Sequence, residues 1–258
     1  MNRILATLMF FTRLPFWRIK QVDAEHFKHV VPLWPLAGWL TGGIMVGVLC
    51  LSAQVFPLST AWLIAIVARL LITGCLHEDG LADFCDGMGG GVTKERILTI
   101  MKDSHIGTYG VIGLIIYFLL LAQMSALPLQ LLCAVVFAGD VWSKFVSSHI
   151  INILPYARKE EEAKNKTIYQ RMSGMEAFIG AIIGTLPAVL FLPNTYWPAL
   201  LAPVVVFILL TWLMKRRIQG YTGDCCGALF LISELSFLLT CLVLYHFQLS
   251  LSGAASAV

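Results

Sequence analysis

A chain of 258 residues that is 58% hydrophobic, only 13% charged and has a mean hydropathy of +0.80 has too few polar groups to cover itself as a water-soluble globule. Its formal net charge of +3 carries no argument for nucleic-acid binding, so the placement of the charges matters more than their sum. The composition implies a polytopic membrane protein. The absence of a P-loop, a GxGxxG turn, an internal repeat or a soluble segment implies a single all-α integral membrane domain over residues 1–258.

The opening segment, Met1 to Lys20, sets Arg3 and Arg13 among Ile4, Leu5, Leu8, Phe10, Phe11 and Phe16. It has neither a long apolar core nor a small-residue cleavage site, so it reads as an interfacial helix and not as a signal peptide. Seven apolar stretches follow, near Leu33 to Phe56, Leu58 to Leu76, Gly110 to Leu127, Leu129 to Leu154, Met175 to Leu192, Tyr196 to Met214, and Cys225 to Phe247. Each is about 18–25 residues long, enough for a helix to cross ~30 Å of hydrocarbon. Pro57, Pro128 and Pro193 to Pro198 mark turns, while Pro187 falls inside a span.

Of the 18 lysines and arginines, only Arg69 and Lys144 fall within these spans. The others gather in the N-terminal segment and in alternate loops: Lys94, Arg96 and Lys102; Arg158, Lys159, Lys164, Lys166 and Arg171; Lys215, Arg216 and Arg217. The intervening loops carry no charge, so the positive-inside rule predicts an inner-membrane protein with a cytoplasmic N-terminus and an external C-terminus. The seven cysteines show no CxxC spacing and read as small buried hydrophobes, with the adjacent Cys225-Cys226 too strained to bridge.

The densest polar feature is the run His77-Glu78-Asp79-Gly80-Leu81-Ala82-Asp83-Phe84-Cys85-Asp86-Gly87, at the end of the second apolar stretch. Carboxylates beside hydrocarbon cost several kcal/mol each unless paired, hydrated or bound to a cation. Asp79, Asp83 and Asp86 stand at i, i+4 and i+7, on one face of a helix, where hard oxygen ligands favour Mg²⁺ or Mn²⁺ over zinc. The alternative is a solvated helix face. The glycines at 87, 89, 90 and 91 read as a flexible linker or hinge. Lys102, Ser104 and the amides near Gly107 suit either a phosphate or a simple helix N-cap. Asp224, opening the last span, is a candidate to complete a metal shell; Glu234, deeper in, reads as structural, hydrogen-bonding in a protonated form. Arg158 is placed to take a phosphate bidentately, and His149 and His246 read as packing.

Together these stretches resemble the cobalamin synthase family, the adenosylcobinamide-GDP ribazoletransferases. The resemblance runs in order through Thr12-Arg13-Leu14-Pro15, Pro35-Leu36-Ala37-Gly38, the His77 to Gly87 run, Met101-Lys102-Asp103-Ser104 with Gly107-Thr108-Tyr109-Gly110, Tyr156-Ala157-Arg158, and Thr222-Gly223-Asp224 with Gly227-Ala228 and Glu234. It implies a Mg²⁺-dependent transferase joining adenosylcobinamide-GDP to α-ribazole or its 5′-phosphate, with release of GMP. It also implies that Asp79, Asp83, Asp86 and Asp224 hold metal, that Asp83 is the catalytic base, and that His77, Glu78, Lys102, Asp103, Ser104, Gly107, Tyr109, Arg158 and Thr222 contact substrate. Expected partners are these substrates and membrane lipid, with homo-oligomers compatible and no nucleic acid. The alternatives are a CDP-alcohol phosphotransferase of phospholipid synthesis, whose Ala-Arg pair is missing after Asp79-Gly80-Leu81-Ala82, and a cation transporter, whose acids would line a path through the bilayer.

Overall fold

Prolines end the apolar runs where the sequence places them: Pro57 and Pro128 each stand just before a helix, with extended backbone that no helix continues through. The computed structural model describes residues 1–158 and 169–255; Lys159, Glu160, Glu161, Glu162, Lys164 and Lys166 of the expected polar loop lie outside the described residues. In chain order the helices are α1 (Asn2–Phe11), α2 (Trp34–Ser52), α3 (Leu58–Thr73), α4 (Leu76–Gly90), α5 (Lys94–Ile100), α6 (Thr108–Ala122), α7 (Leu129–Ser148), α8 (Ile150–Ile153), α9 (Gly174–Phe191), α10 (Leu201–Ile218) and α11 (Gly223–Ala255). No strand occurs among the described residues; an isolated parallel bridge joins Tyr156 to Tyr221. Six helices, taken with their adjoining turns, are long and apolar enough to cross a membrane, and the bent pair α3–α4 makes a seventh when counted as one span.

That bend changes the expected second span. Helix α3 has 16 residues, about 24 Å of helix and short of ~30 Å of hydrocarbon. Gly74 and Cys75 then adopt φ of 63° and 57°, both left-handed, and α4 leaves at 88° to α3. The Arg13 side chain packs where a Gly74 side chain would stand, and the Arg13 amide donates to Ile72 O at 2.7 Å. Cys75, expected to be buried, is exposed on this corner, because a left-handed bend turns its side chain outward; Cys225, Cys226 and Cys241 are buried as expected.

The glycine run is helical and not a hinge. Gly87, Gly89 and Gly90 complete α4, and Gly91 caps it with extended backbone. Their missing side chains admit Met101 against Gly87 and the Tyr109 ring against Gly89, so α5 and α6 press on the end of α4. Arg217 closes this end by donating to Gly91 O at 2.6 Å and Met88 O at 3.4 Å, satisfying carbonyls that a helix C-terminus leaves unpaired. Small residues also bring the long helices together: Gly38 and Gly42 of α2 lie against Val141 and Phe137 of α7, and Gly139 lies against Phe237 of α11.

Two pairs of charged groups stay inside the bundle. Arg69 Nη1 donates to both Glu234 oxygens at 2.7 Å each, and Nη2 donates to Tyr117 Oη at 2.6 Å. Glu234, expected to be a protonated hydrogen-bonder, thus has a cationic partner. Lys144 pairs with Asp140 one turn earlier and lies 3.8 Å over the Phe230 ring, while Thr41 donates to Asp140 Oδ2 at 2.8 Å.

Candidate active site

Two glycines build the site by letting helix backbones touch. A side chain on Gly80 of α4 would stand 3.0 Å from Asp224 O and 3.1 Å from its Cα; one on Gly227 of α11 would stand 3.1 Å from His77 O. The crossing places Asp79 and Asp224, from different helices, on the wall of one cavity of about 970 Å³, including its open mouth. Thr222 starts α11 by accepting the Cys225 amide at 3.3 Å, an N-cap that points Gly223 and Asp224 toward the space.

Arg158 reaches the same cavity through a short backbone clasp. Ala157 N donates to Tyr221 O at 2.8 Å and Tyr221 N donates to Pro155 O at 3.0 Å, so the Tyr156-Ala157-Arg158 and Thr222-Gly223-Asp224 motifs, distant in sequence, lie side by side. Arg158 Nη2 donates to Leu98 O at 3.1 Å and lies 3.9 Å from Asp224 Oδ2, its side chain only 3% exposed. Lys144 lines the floor. The first turns of α4 and α11, whose dipoles are positive at that end, also open here, so the cavity can take a phosphate despite its acids.

Much of the rest of the lining is aromatic: Phe10 and Phe11 of α1, Trp34 at the start of α2, Tyr156, Tyr169 and Phe230. The His77 ring stacks on Phe11 at 5.6 Å between centroids and lies 4.6 Å from Phe230. An amphipathic reading of α1 turns Phe10 and Phe11 toward lipid; in the fold they face the site, and Arg3 ties α1 to Glu176 of α9 at 3.0 Å. Apart from Tyr156, which belongs to the Tyr156-Ala157-Arg158 motif, these aromatics and Lys144 carry no local motif. The one signal in the sequence was the isolated cation of Lys144 within an apolar span.

The predicted site residues separate into two groups. His77, Asp79, Arg158 and Asp224 line the cavity, with Thr222 buried behind them as the cap of α11. Glu78 points away, 3.9 Å from Arg69. Lys102, Asp103, Ser104, Gly107 and Tyr109 lie on the α5–α6 loop and the start of α6, outside the cavity lining. There the exposed Asp103 accepts from the His105 amide at 3.0 Å and sits 2.7 Å from its ring, contacts that hold its carboxyl below the usual carboxylate range. Asp86 joins the two groups, but not as a stripe-mate of Asp79: its oxygens accept the amides of Gly107 at 2.7 Å and Gly110 at 2.8 Å, capping α6. Asp83, half-buried, stands on α4 between Asp79 and Asp86 and outside the cavity lining.

Among the described residues, no three His, Cys, Asp or Glu side chains gather closely enough to hold a metal ion by themselves. Mg²⁺ needs fewer, being usually held by one or two carboxylates with water and substrate phosphate completing its shell. Asp79 and Asp224, sharing one cavity, fit that requirement.

The glycine crossing yields a direct test. Gly80→Ala is expected to force α4 and α11 apart at backbone atoms that cannot yield, costing about 1–3 kcal/mol and lowering the melting temperature in detergent. Gly47→Ala, which has open space around it, is the control and should leave the melting temperature unchanged or slightly raised.

Comparison with known proteins now adds to the geometry. No solved structure matches the chain. Among curated proteins it is 34% identical over 251 residues to the adenosylcobinamide-GDP ribazoletransferase of Leptospira interrogans, covering 92% of this chain and 94% of that protein. It is 37% identical over 239 residues to the protein of the same name from Leptothrix cholodnii, covering 89% and 90%. The Vibrio cholerae protein of that name is 35% identical over 230 residues, covering 87% of each. The model of the cobalamin-5-phosphate synthase family matches residues 3–242, which takes in the residues that line the cavity, the acidic helix and every long helix, α11 as far as residue 242. Neither a CDP-alcohol phosphotransferase nor a cation transporter accounts for that match, and the chain belongs to the cobalamin-5-phosphate synthase family, as a multi-pass membrane transferase of cobalamin biosynthesis.

Proposed function

We propose that the chain is an adenosylcobinamide-GDP ribazoletransferase, transferring the corrinoid phosphoryl group to α-ribazole or its 5′-phosphate and releasing GMP. The observation that carries this reading is the meeting of Asp79, Asp224 and Arg158 in one cavity between α4 and α11, in a chain whose relatives bear that name. A ribose hydroxyl of the acceptor attacks the phosphorus bonded to the corrinoid. The new P–O bond forms as the P–O bond to GMP breaks, and GMP leaves with the electron pair. Arg158 and the N-terminal turns of α4 and α11 face the developing negative charge. Asp83 receives the hydroxyl proton.

Asp79 and Asp224 would hold Mg²⁺, which would supply charge neutralisation at the diphosphate, while Asp83, one turn along α4 from Asp79, is kept for the proton. Asp86 leaves the ligand set because both its oxygens already accept backbone amides. A donor larger than the cavity extends along α4 past Asp83 to the loop of Lys102, Asp103, Ser104 and Tyr109. The basic loops flank the helix ends that open on the cavity, which supports a site on the cytoplasmic side of the inner membrane.

The test is GMP release by purified protein from adenosylcobinamide-GDP and α-ribazole. Release with Mg²⁺ that stops on adding EDTA and returns with excess Mg²⁺ is expected. No GMP under any metal condition, or release of CMP from CDP-diacylglycerol instead, overturns the reading.

A further inference from the structure

Resting on the transfer reaction above, the aromatic end of the cavity has a narrower meaning. Three features coincide there. The walls are flat rings, with Phe11 meeting Trp34 edge-on at 5.7 Å and Trp34 meeting Tyr169 at 5.8 Å. His77 is 4% exposed, and its buried Nε2 has no hydrogen-bond partner among the described residues. Trp34 is also 4% exposed, and its Nε1, which can only donate, is likewise unpartnered. Buried polar atoms are nearly always paired, and an unmade hydrogen bond in an apolar wall is costly. Two such rings lining one cavity mark a place where a ligand supplies the missing acceptor.

We propose that this end of the cavity seats the planar base of the acceptor nucleoside, with His77 donating a ring N–H to the base's ring nitrogen and Trp34 reinforcing selection for an acceptor edge. The chemistry distinguishes the two bases brought by the substrates. A benzimidazole nucleoside presents one unsubstituted ring nitrogen as acceptor and otherwise an apolar edge, which suits rings on every side. Guanine also brings an amino group and a ring N–H, each of which needs an acceptor when buried, so the guanine of the donor belongs outside, toward the α5–α6 loop. Arg158, Asp79 and Asp224 then lie where the ribose and the reacting phosphorus follow from the base. The site selects its acceptor by what the base lacks.

Equilibrium dialysis of detergent-purified protein with α-ribazole, together with steady-state kinetics, tests this. His77→Phe keeps a stacking ring and removes the N–H. It is expected to weaken α-ribazole binding about tenfold and to raise the KM for α-ribazole by a similar factor, with the KM for adenosylcobinamide-GDP and kcat changed less than twofold. His77→Gln, which keeps a donor, should recover most of the binding. Trp34→Phe gives a second reading should His77→Phe not fold, with a several-fold loss of α-ribazole affinity expected. Unchanged α-ribazole affinity in the folded variants, a rise confined to the KM of the donor, or displacement of bound α-ribazole by GMP at matching affinity each overturns the seat. His77-dependent binding of α-ribazole without GMP release supports the seat and overturns the assigned reaction, whereas GMP release with an unaltered acceptor KM in the variants overturns the seat alone.

Discussion

Glu234→Leu is expected to destabilise the folded protein by about 3–5 kcal/mol, the usual cost of leaving a buried charge without its partner. The arginine it strands has a side chain 2% exposed, set between α3 and α11 with Tyr117 as its remaining strong partner. Water cannot reach it within an apolar bundle, so the chain must unfold locally, neutralise the group or draw it elsewhere. The measurement is thermal unfolding in detergent, followed by loss of the monodisperse peak. The double change Arg69→Met with Glu234→Leu is expected to recover much of the lost stability, because replacing both partners by apolar groups removes the desolvation cost along with the attraction. A single Glu234→Leu protein as stable as the parent contradicts the pairing. Should the double variant fold but turn over slowly, the 3.9 Å approach of Arg69 to Glu78 names the route by which α4 was being held in place.

Asp224→Asn is expected to lower turnover by about 100- to 1000-fold, the scale of losing one electrostatic contact made in the transition state, with little change in melting temperature. The carboxylate lies on the cavity wall, 3.9 Å from Arg158, and its helix start is already capped by Thr222, so an amide of the same size removes the charge while the cap of α11 stays in place. Asp79→Asn should behave alike, and both should move the half-saturating Mg²⁺ concentration upward. Asp86→Asn should do the reverse. It loses charge-assisted bonds from the Gly107 and Gly110 amides, so stability falls by about 0.5–2 kcal/mol while the Mg²⁺ dependence is kept. Equal metal phenotypes at 79, 86 and 224 would mean that Asp86 lets go of α6 when substrate binds.

Apolar runs and prolines were enough to read most of the bundle. The expected stretch Leu129 to Leu154 is α7 from Leu129 with the short α8 after it, and Met175 to Leu192 is α9 almost to the residue. Burial in lipid enforces helix along such runs, so little else competes. The bend after α3 was hidden because a cysteine in left-handed backbone carries no sequence signal, and because the apolar character continues through Leu76. The glycine run misled for a related reason: glycine permits a hinge, but between close-packed helices it equally permits contact, and only the neighbours Met101 and Tyr109 decide.

The acidic helix was legible as the centre of the chemistry, and the i, i+4, i+7 pattern put Asp79, Asp83 and Asp86 on one face. What each acid faces depends on other helices: α11 beside Asp79 and the start of α6 beside Asp86. The partner of Arg69 lies 165 positions away in sequence, beyond any local pattern. By contrast Asp140 and Lys144, one turn apart, could have been paired from the sequence by the i, i+4 rule.

The right-angled corner between α3 and α4 also governs depth. On a helix continuing straight from α3, Asp79 and Asp86 would differ by about 10 Å in immersion, and reaching the inner acid would drag a hydrated diphosphate into oil. Turned 88° aside, α4 lays its acids out sideways, nearly level with one another. A bulky water-soluble reactant can therefore reach Asp79 without following the axis of α3 into the apolar bundle.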